Sequence, residues 1–389
     1  MTPYRLVLVF ATLLVASCTA SAPKLTPDVS QSARNPVGTP PPSGVGVPLP
    51  LLPRLPFPAH VAVVLPADGS AALSAVAVRD GLLAAWYATS PSERPTITFH
   101  PFTGGAVNVA YQAAVQSGAS LVIGPLGKEE VQSLARAGVS RPTLALNYLP
   151  DGVVAPAQLY QFGLSPTDEA RQGAKQAWLD GRTRAFVATP NDEWGKRVRQ
   201  AFRLQWEAIG GSTFYAMNTD DHPEALLATM GRIHDPALSR GKGGDFVFLA
   251  APPELAHRLL PALREAGLPV YATSHILTGG STDNELSGMP VQVIDMPWLV
   301  APNPTDARLR AEIERLWPAS FITYRRLYAL GVDAFRLAAE LPALEKNPSD
   351  RVAGATGSLA LDTKRQVVRQ GVWAHIEGGR LTPVAVKKD

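Results

Sequence analysis

Ala119-Ser120-Leu121-Val122-Ile123-Gly124-Pro125-Leu126 reads as a strand buried on both faces that stops abruptly at Gly-Pro. A continuous apolar run closed by a glycine turn suits a central parallel strand, because helices cover both of its sides. Glu129 to Arg136 follow as a helix with acids in its first turn. In open α/β sheets ligands gather at the carboxyl ends of strands, so Pro125 to Lys128 should border a cleft.

Outward from this unit, strand and helix alternate. His60 to Pro66 is a strand ending in the loop Pro66-Ala67-Asp68-Gly69-Ser70. A helix over Ala71 to Tyr87 should bury Val76, Leu82, Leu83 and Trp86. Thr96 to His100 is a strand, Val107 to Ser117 a helix closed by Gly118, and Pro142 to Asn147 a further strand. Such alternation implies a parallel sheet with right-handed crossovers. Tyr160 to Leu164 is short and extended. Ser165-Pro166-Thr167-Asp168-Glu169 then starts a helix with Ser at the N-cap, Pro at the first position and acids in the first turn.

A second α/β series begins there. Strands are expected over 185–190, 214–216, 245–250 and 270–274, with helices over 193–209, 225–234 and 253–266. Leu309 to Trp317 and Tyr324 to Leu341 are helical, the latter with Leu327, Leu330, Phe335 and Leu337 at core spacing. Gly357 to Asp362 and Gly371 to Ile376 read as a closing hairpin. The fold class is therefore α/β, with two lobes, each a mostly parallel sheet flanked by helices. The first lobe spans about 59–161 plus 305–345, and the second about 165–300 plus 350–385.

The amino terminus has the pattern of an export signal over residues 1–17: Arg5, then the apolar run Leu6 to Ala16. That run is shorter than the ~20 residues that span a bilayer core. Val15-Ala16-Ser17-Cys18 resembles the lipobox of bacterial lipoproteins, and Cys18 is the only cysteine of the chain. The resemblance implies a diacylated Cys18. It also implies an outer-membrane destination facing the periplasm, since Thr19 stands where inner-membrane lipoproteins carry Asp. Residues 18–58 are proline-rich, with Pro40-Pro41-Pro42 and Pro48-Leu49-Pro50, and read as a disordered tether to a lobed domain at 59–389.

Composition narrows the function classes. A formal charge of +3 on 389 residues, with no Lys/Arg stripe, argues against nucleic acid as a partner. No Gly-x-Ser-x-Gly, His-Glu-x-x-His or Gly-x-x-x-x-Gly-Lys-Ser/Thr motif occurs. The seven histidines are dispersed, and His222 and His234 have no cysteine near them, so no metal or other cofactor is expected. Ser21-Ala22-Pro23-Lys24 matches a Ser-x-x-Lys pattern by chance, with no Lys-Thr-Gly partner. The chain is expected not to be an enzyme.

Several motifs in fixed order resemble one family. They are Ile123-Gly124-Pro125-Leu126, Leu144-Ala145-Leu146-Asn147, Phe162-Gly163-Leu164-Ser165-Pro166-Thr167-Asp168-Glu169-Ala170 and Glu193-Trp194-Gly195-Lys196-Arg197-Val198. To these add Pro269-Val270-Tyr271-Ala272-Thr273-Ser274, Ala329-Leu330-Gly331-Val332-Asp333-Ala334, Gly357 to Asp362 and Trp373-Ala374. Together they resemble the type I periplasmic-binding-protein fold. More narrowly, they resemble the carboxy-terminal domain of the LpoA (LppC) family of penicillin-binding-protein activators. The resemblance implies an outer-membrane lipoprotein that stimulates a class A penicillin-binding protein, the peptidoglycan synthase, without catalysis of its own. Fuller members of that family carry a helical-repeat domain before this one; here the proline-rich tether stands in its place.

The alternative is a tethered solute-binding or sensing protein for an amino-acid-like or cell-wall-derived ligand. The candidate cleft-lining residues are Asp68, Ser70, Pro125, Gly127, Lys128, Asn147, Tyr148, Trp194, Ala251, Ser274 and His275. Amino-acid receptors of this fold hold their ligand with Ser and Thr hydroxyls; here the corresponding loops offer Lys128 and Glu129. Trp194 is as well suited to packing at a helix start, Asn147 to forming a turn, and Asp168 and Glu169 to capping and the helix dipole.

Overall fold

The computed structural model describes residues 57–384 except 212, 221–223, 227, 230–244 and 279–280. Residues 1–56, with the expected export signal, Cys18 and most of the expected tether, lie outside the described residues. So do His222, His234 and part of the helix expected over 225–234.

The first sheet is built from β1 (His60–Val63), β2 (Thr96–Phe99), β3 (Leu121–Ile123), β4 (Thr143–Ala145) and β5 (Leu159–Gln161). All pairs are parallel, in the order β2-β1-β3-β4-β5. Helices α1 (Ala72–Ala88), α2 (Val107–Gln116) and α3 (Lys128–Ala137) connect them. Val61 and Val63 enter one core and Ala62 the opposite one, so both faces are covered, as the apolar runs require. Gly124 ends β3 with φ of +108°, and a Cβ there would collide with the Val64 carbonyl. The residue that stops the strand therefore has to be glycine.

The second sheet repeats the plan. β6 (Arg184–Thr189), β7 (Thr213–Asn218), β8 (Asp245–Leu249), β9 (Val270–Ala272) and β10 (Val291–Asp295) run parallel in the order β7-β6-β8-β9-β10. Helices α4 (Pro166–Leu179), α5 (Glu193–Ala208) and α6 (Pro253–Glu265) belong to it. Phe202 stacks on Phe248 at 4.5 Å between the sheet and α5. Each sheet thus reverses its strand order once, at β1/β3 and at β6/β8, and a crevice opens at the carboxyl ends of such pairs. Strand β10 went unread in the sequence, although Val291-Gln292-Val293-Ile294 has the β-branched character of a buried strand.

The chain then returns to the first lobe through α7 (Pro297–Val300), α8 (Pro304–Leu316) and α9 (Pro318–Lys346). Against expectation, Val76 faces solvent at 38% exposure, while Ala75, Val78, Gly81, Leu82 and Ala85 form the buried face of α1. The reason is α9. A Cβ on Gly81 would strike the Tyr328 backbone, and one on Gly331 would strike the backbone at Val78. The two helices cross at a pair of glycines, so small residues, not the large ones, lie at the contact.

The carboxy-terminal strands also differ from the hairpin expected. β12 (Ser358–Leu361) pairs antiparallel with β13 (Val367–Gln370) and with β11 (Val352–Ala353). β14 (Val372–Glu377) pairs instead with β10 and with β15 (Arg380–Pro383). The switch falls at Gly371, where a Cβ would collide with the Ile294 side chain and the Asp295 carbonyl. Residues 352–370 consequently lie with the first lobe, where Leu359, Leu361 and Val367 complete its core; only β14 and β15 extend the second sheet.

Candidate functional site at the lobe crossover

Three chain crossings join the lobes: after β5, after β10, and between β13 and β14. Four of the eleven residues predicted to line the cleft, Asn147, Tyr148, Ser274 and His275, are engaged there with the chain's own groups. The Asn147 amide donates to the Leu126 carbonyl at 3.0 Å and its oxygen accepts from the Tyr148 N–H at 3.0 Å. The Tyr148 hydroxyl lies 3.2 Å from the Gly163 carbonyl and 3.1 Å from that of Val367, bridging the first and third crossings. Burial, with Asp168 nearby, pushes its pKa well above the usual phenol value, so it acts as a neutral donor.

Across the crevice, Glu169 gathers a second group. Its carboxylate accepts from the Ser274 N–H at 2.9 Å and the Ser274 hydroxyl at 3.0 Å. His275 Nδ1 and the Arg369 guanidinium each stand 3.8 Å from it. Burial alone would favour the neutral acid. His275, Arg369 and the Ser274 N–H outweigh it and hold the Glu169 pKa below the ordinary value. Arg369 donates to the carbonyls of Gly163 and Thr356, both at 3.0 Å. Gly163 therefore links the two groups, since its oxygen serves both Tyr148 and Arg369.

The second crossing, after β10, is fixed in the same way. Arg326 forks onto Asp295 at 3.1 and 2.6 Å and donates to the Ser274 carbonyl at 3.1 Å. Burial opposes its charge, but Asp295 raises its pKa above the usual guanidinium value. Asp333 on α9 accepts from the N–H groups of Ala355 and Thr356 and from the Thr356 hydroxyl, each at 2.7 Å.

The other predicted residues are scattered. Asp68 is exposed and accepts from the Gly104 N–H at 3.1 Å; Ser70 is exposed beside it. Pro125 and Ala251 are buried, Gly127 is the N-cap of α3, and Lys128 points to solvent. Trp194 is half-buried, packed on the second lobe's core with its ring 5.2 Å from that of His275. Ser165 caps α4 as expected, but Glu169 serves more than the helix dipole. Sequence reasoning missed Arg369, Arg326 and Asp333. Arg369 carried a usable signal: it alternates with Val367 on the inward face of β13.

The arrangement closes hydrogen bonds and ion pairs between backbone crossings. Among the described residues no helix is long and apolar enough to cross a membrane.

The chain is 27% identical over 350 residues to the penicillin-binding protein activator LpoA of Vibrio antiquarius (strain Ex25), covering 82% of this chain and 57% of that protein. It is 28% identical over 357 residues to the protein of the same name from Photobacterium profundum, covering 84% and 57%. The chain thus spans little more than half the length of these curated relatives. The C-domain of LpoA from Haemophilus influenzae, described as a regulator of PBP1A, superposes with a TM-score of 0.69 at 24% identity, covering 84% of this chain and all of that one. A structure from Chromobacterium violaceum, titled a "putative branched-chain amino acid ABC transporter", superposes with a TM-score of 0.66 at 33% identity over 82% of this chain and 99% of its own. Both share the two-lobed periplasmic-binding-protein-like fold. The family model described as "LppC putative lipoprotein" matches residues 55–379, and the chain belongs to that LppC family.

Proposed function

We propose that this chain is a non-catalytic activator of a class A penicillin-binding protein, held at the periplasmic face of the outer membrane by a diacylated Cys18. The division into export signal (1–17), tether (18–58) and lobed domain (59–389) belongs to the same reading. The observation that carries it is the crossover itself: Asn147, Tyr148 and Ser274, the donors a small ligand would need, are engaged by Leu126, Gly163, Val367 and Glu169. A site that recognises an amino acid keeps its polar groups free of protein partners so that the ligand can pair them, and discriminates by the cost of any left unpaired. Relatives named as activators of penicillin-binding proteins support the partner. Activation then requires that the chain bind the active arrangement of the synthase more tightly than the inactive one.

The test adds the full chain, purified in detergent, to the cognate class A synthase and follows glycan polymerisation and crosslinking. Both rates should rise; absence of binding and of any rate change overturns the proposal. The anchor is tested separately: palmitate should label the wild type and not Cys18→Ser, and equal labelling would remove it.

The Chromobacterium match favours a second reading, a tethered solute-binding protein. A thermal-shift panel of amino acids and muropeptides separates the two. A ligand at 100 times its Kd stabilises by about 2.7 kcal/mol, whereas the activator reading expects unchanged melting across the panel.

A further inference from the structure

Two histidines meet at the first sheet, at the sites where β1 begins and β2 ends. In the parallel register His60 lies opposite Thr96, and Ala62 opposite Thr98. Thr98 and His100 are two residues apart, so their side chains emerge on one face, and His60 reaches forward to the same place. His60 Nε2 lies 2.8 Å from Thr98 Oγ1, and His100 Nε2 lies 3.1 Å from the same oxygen. Ser117 Oγ, at the end of α2, stands 3.4 Å from His100 Nε2. Both imidazoles are half-buried, and Ser117 is exposed, so solvent and small solutes reach the cluster.

Proton counting makes the convergence informative. A threonine hydroxyl has one proton to give. It can donate to only one of the two nitrogens, so the other ring must donate to it. Two imidazoles therefore share one oxygen atom, and once the donating ring carries its proton on Nδ1 instead, each offers an Nε2 lone pair to a cation. Imidazole nitrogen suits zinc, copper and nickel, and zinc binds it at about 2.0–2.1 Å. Among the described residues no group of three or more His, Cys, Asp or Glu side chains gathers to hold a metal. A site here would accordingly be two histidines with hydroxyl or water oxygens completing the shell, open to solvent and exchangeable.

We propose that His60 and His100, with Thr98 and Ser117 beside them, bind a divalent transition-metal ion of the zinc type on the first lobe. The ion would tie the start of β1 to the end of β2. Neither the family nor the crossover network calls for this site, and its failure would leave the activator reading untouched.

The experiment titrates the detergent-purified full chain with zinc chloride by calorimetry, alongside His60→Ala, His100→Ala and His257→Ala. His257 is the control because it sits apart, 3.3 Å from Glu285, and could itself attract zinc. Wild type and the His257 variant should take up one equivalent, and the other two should lose it. In parallel, the ring nitrogens of His60 and His100 in the wild type should shift on zinc addition in nitrogen-15 spectra, which does not depend on any variant folding. Zinc uptake that survives either substitution, uptake lost only in the His257 variant, or unmoved His60 and His100 resonances would each overturn the proposal.

Discussion

Asp333→Ala should cost about 3–5 kcal/mol of unfolding free energy, as expected when a buried, fully engaged charged partner is removed. Asp333 is completely buried, and its two oxygens take three hydrogen bonds at 2.7 Å from Ala355 and Thr356. Its removal strands two backbone N–H groups and a hydroxyl inside the protein, each at about 1–3 kcal/mol. Arg336, 3.5 Å away, keeps Asp306 as a partner and suffers less. Asp333→Asn retains an acceptor oxygen and should recover part of the loss. Asp350→Ala, on an exposed turn, should stay within about 0.5 kcal/mol of wild type. Hydrogen exchange provides the specific readout: the Ala355 and Thr356 amides should lose protection in Asp333→Ala. An unchanged denaturation midpoint, or retained protection at those two amides, would show that Asp333 does not hold the turn before β12 against α9.

The position of Asp333 also explains why the motif around it has its form. In Ala329-Leu330-Gly331-Val332-Asp333-Ala334, glycine permits the close approach of α1, and the aspartate reaches the return segment. The same holds for Phe162 to Ala170, where Gly163 offers its carbonyl to Tyr148 and Arg369 and Glu169 takes Ser274. It holds again for Pro269 to Ser274. These segments are far apart in the chain, yet they meet where the lobes are joined. A protein that opens and closes on a ligand needs crossings that can rearrange. Here a connected set of buried charges and carbonyls ties all three together, and such a set favours one relative arrangement of the lobes.

Much of the fold was legible because it rests on local rules. Buried parallel strands show as apolar runs, and Gly124, Ser165-Pro166 and Gly118 mark element ends with a stated backbone reason. The α1 face was misread because hydrophobic spacing alone favours large side chains, whereas the glycine pair Gly81 and Gly331 is a property of two helices together. The hairpin was misread because Gly371 sends the chain to another sheet, a decision made by Ile294 and Asp295 far upstream. The site was the least legible part. Tyr148 and Ser274 find their partners Gly163, Val367 and Glu169 up to 219 positions away. Charge type and spacing cannot tell an acid that caps its own helix from one that turns inward to a distant serine.

Glu169→Ala should destabilise the protein by a similar margin, about 3–5 kcal/mol, because Arg369, only 5% exposed, loses the carboxylate facing it. The Ser274 N–H and hydroxyl lose their acceptor at the same time. Glu169→Gln keeps an acceptor but removes the charge, and should cost about 1.5–3 kcal/mol at neutral pH, the range for hydrogen bonds to charged groups. Its pH dependence has a definite sign. The folded pKa of Glu169 lies below its ordinary value, so its charge-dependent stability is present above the unfolded pKa of about 4.3. That contribution disappears as pH falls through the lower, folded value. Wild type and Glu169→Gln should therefore differ most at neutral pH and converge in acid. Comparing the two chains is essential, since burial raises the pKa values of Asp80, Asp168 and Asp333 and these groups pull the absolute stability the other way. Denaturant unfolding of both chains from pH 7 to pH 3 measures the gap directly. A gap that stays constant would mean that the Glu169 pKa is the same folded and unfolded, and one that grows in acid that Glu169 is held as a neutral acid; in either case the crossover is not tied by its charge.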